Sequence, residues 1–383
     1  MGSNMEGNWQ LLQQEAEKPI VSKATMSFKR TFPFDQAGKV LIGDAASADE
    51  LLLEQSIGQY TGVKLMRGLW EEQTGQSSGT FFPVAAPADS GVLWASAGHC
   101  LMPDVQRRWR CGYGTQVHPC SPSSQHTARA RVRVVMDQSW LRDGSELAEY
   151  VPSQPTQRIG TAEVMPDFGF MLAEAPAPEG ELRQLYIPSA RQLACGDPVC
   201  LLGFAHRPTA YWARTFLRTE ADYEMAVSEA KLAGRPQPSP EDWRLDDHTA
   251  ANRALDLLDG VCYPNLLAAS PGMVAGASQR IIEHTCSTFS GMSGAPGVDT
   301  QHPWQLLFVH TRADHDFRRN NYGYSVHHPL FIKAYERVVL PSLLTTPSDL
   351  LSPEMLRCLH GYLDAHKDQL ADSGVLRKVE QRC

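Results

Sequence analysis

From Gly62 onward the chain is broken into short apolar or alternating runs separated by Gly, Pro and Ser: GVKLMRGLW, GTFFPVAA, GVLWASAG, ARARVRVVM, QRIGTAEVM, FGFMLAE and DPVCLLGF. Runs this short, punctuated by turn residues, read as strands. Many short strands can bury their apolar faces only as a sandwich or a barrel. In ARARVRVV, Arg129, Arg131 and Arg133 fall on one face and Ala130, Val132 and Val134 on the other. That is the period-2 pattern of a half-buried strand, its arginines forming a solvated outer face.

Helical patterns interrupt and then end this texture. TEADYEMAVSEAKLAG opens with a Thr219/Asp222 capping pattern and stops at Gly234. SPEDWRLDDHTAANRALDLLDG has Ser239 as a cap, Pro240 in the first turn and Gly260 as a stop. Two helices are therefore expected within a helical insertion at about 205–262. Strands resume with SQRIIEHTC and WQLLFVHT, and helices return in PLFIKAYERVVLPSLL and SPEMLRCLHGYLDAHKDQL. In the last segment Leu356, Leu359 and Leu363 share a face that is predicted to pack on the core. Ahead of the strands, ADELLLEQSIG reads as a short helix ended by Gly58. The expected organisation is an extension over 1–60, a main domain over 61–345 and a helical tail over 346–383.

A net charge of -8 over 383 residues argues against general nucleic-acid binding. No run approaches the ~18 apolar residues of a membrane span, and the polar start lacks the apolar centre of a secretory signal. The expectation is an intracellular, cytoplasmic chain with no membrane partner. Nine cysteines leave at least one without an intrachain partner. Cys195 with Cys200, or Cys111 with Cys120, could bridge locally, but reduced thiols are expected inside a cell. No zinc-type pairing of Cys-x-x-Cys motifs is present, and neither a metal nor a cofactor is expected.

The chemistry centres on TCSTFSGMSGAPGV, Thr285 to Val298. It contains a Gly-x-Ser-Gly turn around Ser293 and also a loose Gly-x-Ser-x-Ala, the wording of an α/β-hydrolase nucleophile elbow. A serine hydroxyl needs a base to take its proton, an acceptor to orient that base and fixed donors for the oxyanion. The base candidate is His99, after the apolar run Val92 to Ala95 in GVLWASAGHC. The acid candidate is Asp167, heading the run Phe168 to Leu172, with Asp137 and Asp143 as weaker alternatives. The letters DFG do not make a kinase, since no catalytic loop or Gly-rich phosphate loop precedes them. An α/β-hydrolase esterase would need His327, His328 or His360 after Ser293, and strand alternating with helix before it.

The order His99, Asp167, Ser293 is that of the chymotrypsin arrangement, and the span from about Thr61 to Leu340 resembles the chymotrypsin-fold serine peptidases. Within them it looks closest to the glutamyl-endopeptidase-like and Deg-type branch. The resemblance is carried by SSGTFF, AGHC, GDPVCLLGF, SPGMV, SGMSGAP, LLFVHTRAD and NNYGYSV, in that order. It implies two six-stranded antiparallel β-barrels with inserted helices and a helical C-terminal extension. It further implies a serine endopeptidase acting on protein or peptide substrates through an acyl-enzyme, with the N–H groups of Gly291 and Ser293 as oxyanion hole. Thr288, His310 and Thr311 would line the specificity pocket and favour an acidic side chain. Met292 stands where trypsins carry an aspartate, which argues against trypsin-style activation. A catalytically inactive scaffold of the same fold is the competing expectation.

Overall fold

In a computed structural model of the protein, the described residues are 30–34, 40–41, 48–57, 67–71, 76–87, 91–101, 132–136, 167–173, 185–206, 227–234, 236–237, 261–264, 266–312, 321–370 and 373–382. Strands come first: β1 (Phe32–Pro33), then helix α1 (Ala48–Ile57), β2 (Arg67–Glu71), β3 (Gln76–Ala85), β4 (Val92–Ser96), β5 (Val132–Met136) and β6 (Gly169–Ala173). There follow β7 (Ile187–Pro188), β8 (Pro198–Phe204), β9 (Leu267–Ala277), β10 (Ile281–His284), β11 (Pro296–Asp299), β12 (Gln305–Arg312) and β13 (Asn321–Ser325). The chain closes with α2 (Pro329–Ala334), a π-helical turn (Tyr335–Val339), α3 (Leu340–Leu344), α4 (Pro353–Ala365) and α5 (Ser373–Glu380).

Six strands form a closed antiparallel barrel in the order β8, β9, β10, β13, β12, β11 and back to β8. The 11-residue β9 makes closure possible, because Leu267 to Met273 pair with β8 and Val274 to Ala277 with β10. β1 pairs with β9 from the other side, so Phe32 and Phe34 enter the main core. A second sheet runs β2, β3, β4, β6, β5, and among the described residues its two edges do not meet. The architecture is thus mostly β, with one closed barrel, a second open sheet and a C-terminal helical region.

The apolar run PVCLLGF is continuous because both faces of β8 are covered. Val199 and Leu201 join a cluster with Met292, Ala295 and Phe308, whereas Cys200, Leu202 and Phe204 join the larger core. That larger core ties the second sheet to the C-terminal helices. Phe168 meets Phe331 of α2 edge-on at 5.4 Å and Tyr324 of β13 at 6.0 Å.

Met355, Leu356, Leu359, Tyr362 and Leu363 are the buried face of α4. Its first turn is set by Ser352, whose hydroxyl accepts from Met355 N at 3.1 Å, with Pro353 next in line. Ser352→Ala is expected to cost about 1 kcal/mol, read as a lower urea midpoint with an unchanged slope. Residues 227–232 are helical and Gly234 lies at φ 59, which places the expected stop at Gly234. The second inserted helix, 239–260, and the arginines Arg129 and Arg131 lie outside the described residues. No helix among the described residues is long and apolar enough to cross a membrane.

Candidate active site

β4 is buried along its whole length, and the chain leaves it through Ala97 into a tight 3-10 turn, Gly98–Cys100. His99 therefore emerges at the surface end of a rigid strand, its side chain 41% exposed. Antiparallel pairing of Ser96 with Gly169 brings the head of β6, and with it Asp167, beside this turn. Phe168 anchors the acid from below in the aromatic core. Asp167 takes two bonds from the same residue: Oδ1 accepts from the His99 backbone N–H at 2.8 Å and Oδ2 from ring Nδ1 at 2.6 Å. A carboxylate can only accept, so Nδ1 is the protonated ring nitrogen and Nε2 faces away from the acid. Burial works against charge on this ring. The hydrogen bond to Asp167 and the neighbouring Cys100 outweigh it and push the His99 pKa up to about 11.

The nucleophile candidate sits on a turn shaped by two left-handed glycines, Gly291 at φ 89 and Gly294 at φ 85. In a trans peptide the C=O and N–H point in opposite directions, so fixing a carbonyl aims the next N–H. The Ser290 carbonyl is held by His206 N at 2.6 Å, and the Met292 carbonyl by Ala295 N at 2.9 Å. These two peptides carry the Gly291 and Ser293 N–H groups, neither of which has an acceptor among the described residues. The intervening Met292 and Gly294 N–H groups are spent on Phe289 O at 3.0 Å and His310 O at 2.7 Å. The turn thus leaves two preorganised donors, the ingredients of an oxyanion site.

The turn packs directly on the histidine arm. Thr80 N donates to the Ser293 carbonyl at 2.8 Å, and Cys100 Sγ lies 3.7 Å from the same oxygen. The turn that carries Ser293 therefore lies against the arm that carries His99 and, bonded to it, Asp167. The Ser293 hydroxyl donates to the Thr311 carbonyl of β12 at 3.3 Å and makes no bond to His99.

No protein-family model matches the chain, and no curated protein matches it. Among solved structures it is similar to a Glu endopeptidase in complex with MPD, at 12% identity over 72% of this chain and 91% of that one, with a TM-score of 0.38. It is also similar to neuropsin, a serine protease of mouse brain, at 10% identity over 70% and 91%, TM-score 0.37. A third is Rv3671c of M. tuberculosis in an inactive form, at 10% identity over 74% and 91%, TM-score 0.34. At these values the likenesses carry no chemistry, and the site stands on its own residues.

Of the residues expected to line a specificity pocket, His310 and Thr311 bond the Ser293 turn through their carbonyls, to Gly294 N at 2.7 Å and Ser293 Oγ at 3.3 Å. Thr288 is buried, and its hydroxyl has no hydrogen-bond partner among the described residues. His310 is buried on β12, and its Nδ1 lies 3.2 Å from Nε2 of His284. Burial pushes the His310 pKa down to about 3, with the charge of nearby His99 acting in the same direction. His284 stacks on Phe308 at 4.9 Å, burial pushes its pKa well down, and its Nδ1 has no hydrogen-bond partner among the described residues. Sequence reasoning passed over His284, His206 and Thr80. The alternation in IIEHTC was the one signal that could have placed His284 facing into the barrel.

Other expectations resolve more simply. Met292 is buried beside Gly203 and Ala295 in an apolar cluster. His328 Nδ1 caps α2 by accepting from Leu330 N at 3.1 Å, and His327 bonds the Arg191 carbonyl at 2.9 Å and His366 at 2.8 Å. Two of the three histidines that an esterase order would call on, His327 and His328, are thus committed to structure. Cys195 is an exposed thiol and Cys200 a buried one whose pKa burial raises, so no bridge joins them. Cys111, Cys120, Asp137 and Asp143 lie outside the described residues.

Proposed function

We propose that the protein is a serine endopeptidase of the chymotrypsin arrangement, with His99, Asp167 and Ser293 as its triad and the five-stranded sheet as part of a second barrel. The observation that supports this best is the doubly bonded His99–Asp167 pair set against a glycine turn with two unspent N–H donors. In the proposed reaction the Ser293 hydroxyl rotates from Thr311 O toward His99 Nε2. The neutral ring takes its proton as Oγ attacks the peptide carbonyl. The N–H groups of Gly291 and Ser293 hold the oxyanion, His99 hands the proton to the leaving amine, and water releases the acyl group by the same route.

The finer part of the proposal is a preference for an acidic side chain before the scissile bond. Thr288 Oγ1 offers an unspent donor, and the His310–His284 pair ends in an unpartnered Nδ1 that can take up a proton when a carboxylate enters. Branch membership near the glutamyl-endopeptidase-like and Deg-type enzymes, and a protein or peptide substrate, belong to the same proposal.

Two features favour a second reading, a binding scaffold with an idle triad: Ser293 is turned to Thr311, and the Asp167 hydrogen bond, against burial, pushes the His99 pKa up to about 11. A fluorophosphonate probe separates the two. The peptidase is expected to be labelled at one residue, mapped to Ser293 by peptide mass spectrometry, with the label lost in Ser293→Ala. Folded protein that stays unlabelled across pH 6 to 10 would establish the scaffold instead.

A further inference from the structure

We infer that Thr80 is a positioning residue for the oxyanion-binding turn, an inference that rests on the peptidase reading. Thr80 belongs to β3 of the second sheet but is wholly buried against the barrel. Its hydroxyl donates to the Gly291 carbonyl at 2.9 Å and accepts from Phe204 N at 3.1 Å. Both directions are forced, because a carbonyl only accepts and a backbone N–H only donates. Its own N–H holds the Ser293 carbonyl at 2.8 Å, and its carbonyl is held by Ser96 Oγ at 2.8 Å. A single residue therefore joins the end of β8, the head of the histidine turn and both ends of the Gly291–Ser293 segment.

The side chain matters because of where Gly291 sits. A glycine at φ 89 has no Cβ to limit its flanking peptides, so their orientation must come from hydrogen bonds. His206 N fixes the peptide before Gly291, and the Thr80 hydroxyl fixes the peptide after it. Without the hydroxyl, the peptide after Gly291 is held only through the Met292 N–H bond to Phe289 O. The turn that carries both unspent N–H groups is then tied to Thr80 by one bond, from Thr80 N–H to the Ser293 carbonyl, in place of two, and can shift against the histidine arm. Removing the hydroxyl also leaves the buried Gly291 carbonyl and Phe204 N–H unpaired, a further reason for the turn to rearrange.

The test compares Thr80→Val, which keeps the shape and removes the hydroxyl, with Thr80→Ser, which keeps the hydroxyl. Fluorophosphonate labelling rates and peptide kcat and KM are measured below the melting temperature of each variant. The valine variant is expected to lose roughly 10- to 100-fold in labelling rate and kcat with KM little changed. The serine variant is expected to recover to within about threefold, and the pH profile of both should keep its shape because His99 is untouched. A folded valine variant labelled within about twofold of the wild type overturns the inference, whatever its melting temperature. If valine prevents folding, Thr80→Cys, with a weakly bonding thiol of similar size, is read by the same criteria. Wild-type protein that takes no label overturns the peptidase reading and this inference with it, whereas a labelled wild type with an indifferent valine variant overturns the inference alone.

Discussion

Alanine at position 99 is expected to lower peptide hydrolysis by at least about 10³-fold while leaving the sheets intact by circular dichroism. On the peptidase reading the loss follows from the geometry, because His99 is held by Asp167 through two bonds and its turn packs on the Ser293 carbonyl. His310 cannot substitute, being buried, held neutral and bonded to His284. The residual rate should come from the Gly291 and Ser293 donors alone. The same residue sets two opposed pH trends in the wild type. Only the neutral ring can take the serine proton, so turnover is expected to rise with pH through neutrality into the alkaline range. Stability runs the other way. A folded pKa raised from 6.5 to about 11 means the folded state binds the proton more tightly than the unfolded chain. The contribution is complete below the unfolded value and is lost progressively as pH rises toward the folded one. Thermal melts between pH 7 and 10 should fall more steeply for the wild type than for His99→Ala. Equal slopes, or near-normal turnover in the alanine variant, would overturn the assignment of the base.

What was legible in the sequence follows a physical line. Strands with one or two buried faces announced themselves, since the pattern that makes a strand is the pattern that buries it. DPVCLLGF lies between two clusters, and VLWASAG, Val92 to Gly98, is buried throughout. His99 and Asp167 were legible for the same reason: each sits at the end of such a run, where a strand delivers a polar side chain to one rim. Thr80, His206 and His284 were not. A threonine inside a strand reads as a strand former, and its role depends on a carbonyl 211 positions away. His284 depends on a second histidine on another strand, a pairing that register creates and no local motif records. Closure of one six-stranded barrel was expected from the resemblance alone; the residue pattern could not give it, because it hangs on how far β9 runs past β8 before turning to β10.

Gly294→Ala is expected to be strongly disruptive, costing about 3 kcal/mol or more and removing the probe label. Two independent terms add. The residue lies at φ 85, a conformation that costs an L-residue roughly 1–2 kcal/mol. The added methyl would also meet Ser96 Oγ and the Thr80 carbonyl well inside contact distance, and Ala97 N at 2.8 Å. None of these neighbours can retreat cheaply. Ser96 and Thr80 are bonded to each other at 2.8 Å, and Ala97 begins the turn that carries His99. Relief must therefore push the nucleophile turn away from the histidine arm and break the Thr80–Ser293 backbone bond. Gly196 supplies the control, since it also has positive φ, at 92, but open space around the added methyl. Gly196→Ala is expected to lose only the conformational term and to keep its label. Comparable urea midpoints for the two variants would mean that the packing of the turn against Ser96 and Thr80 does not hold the site together.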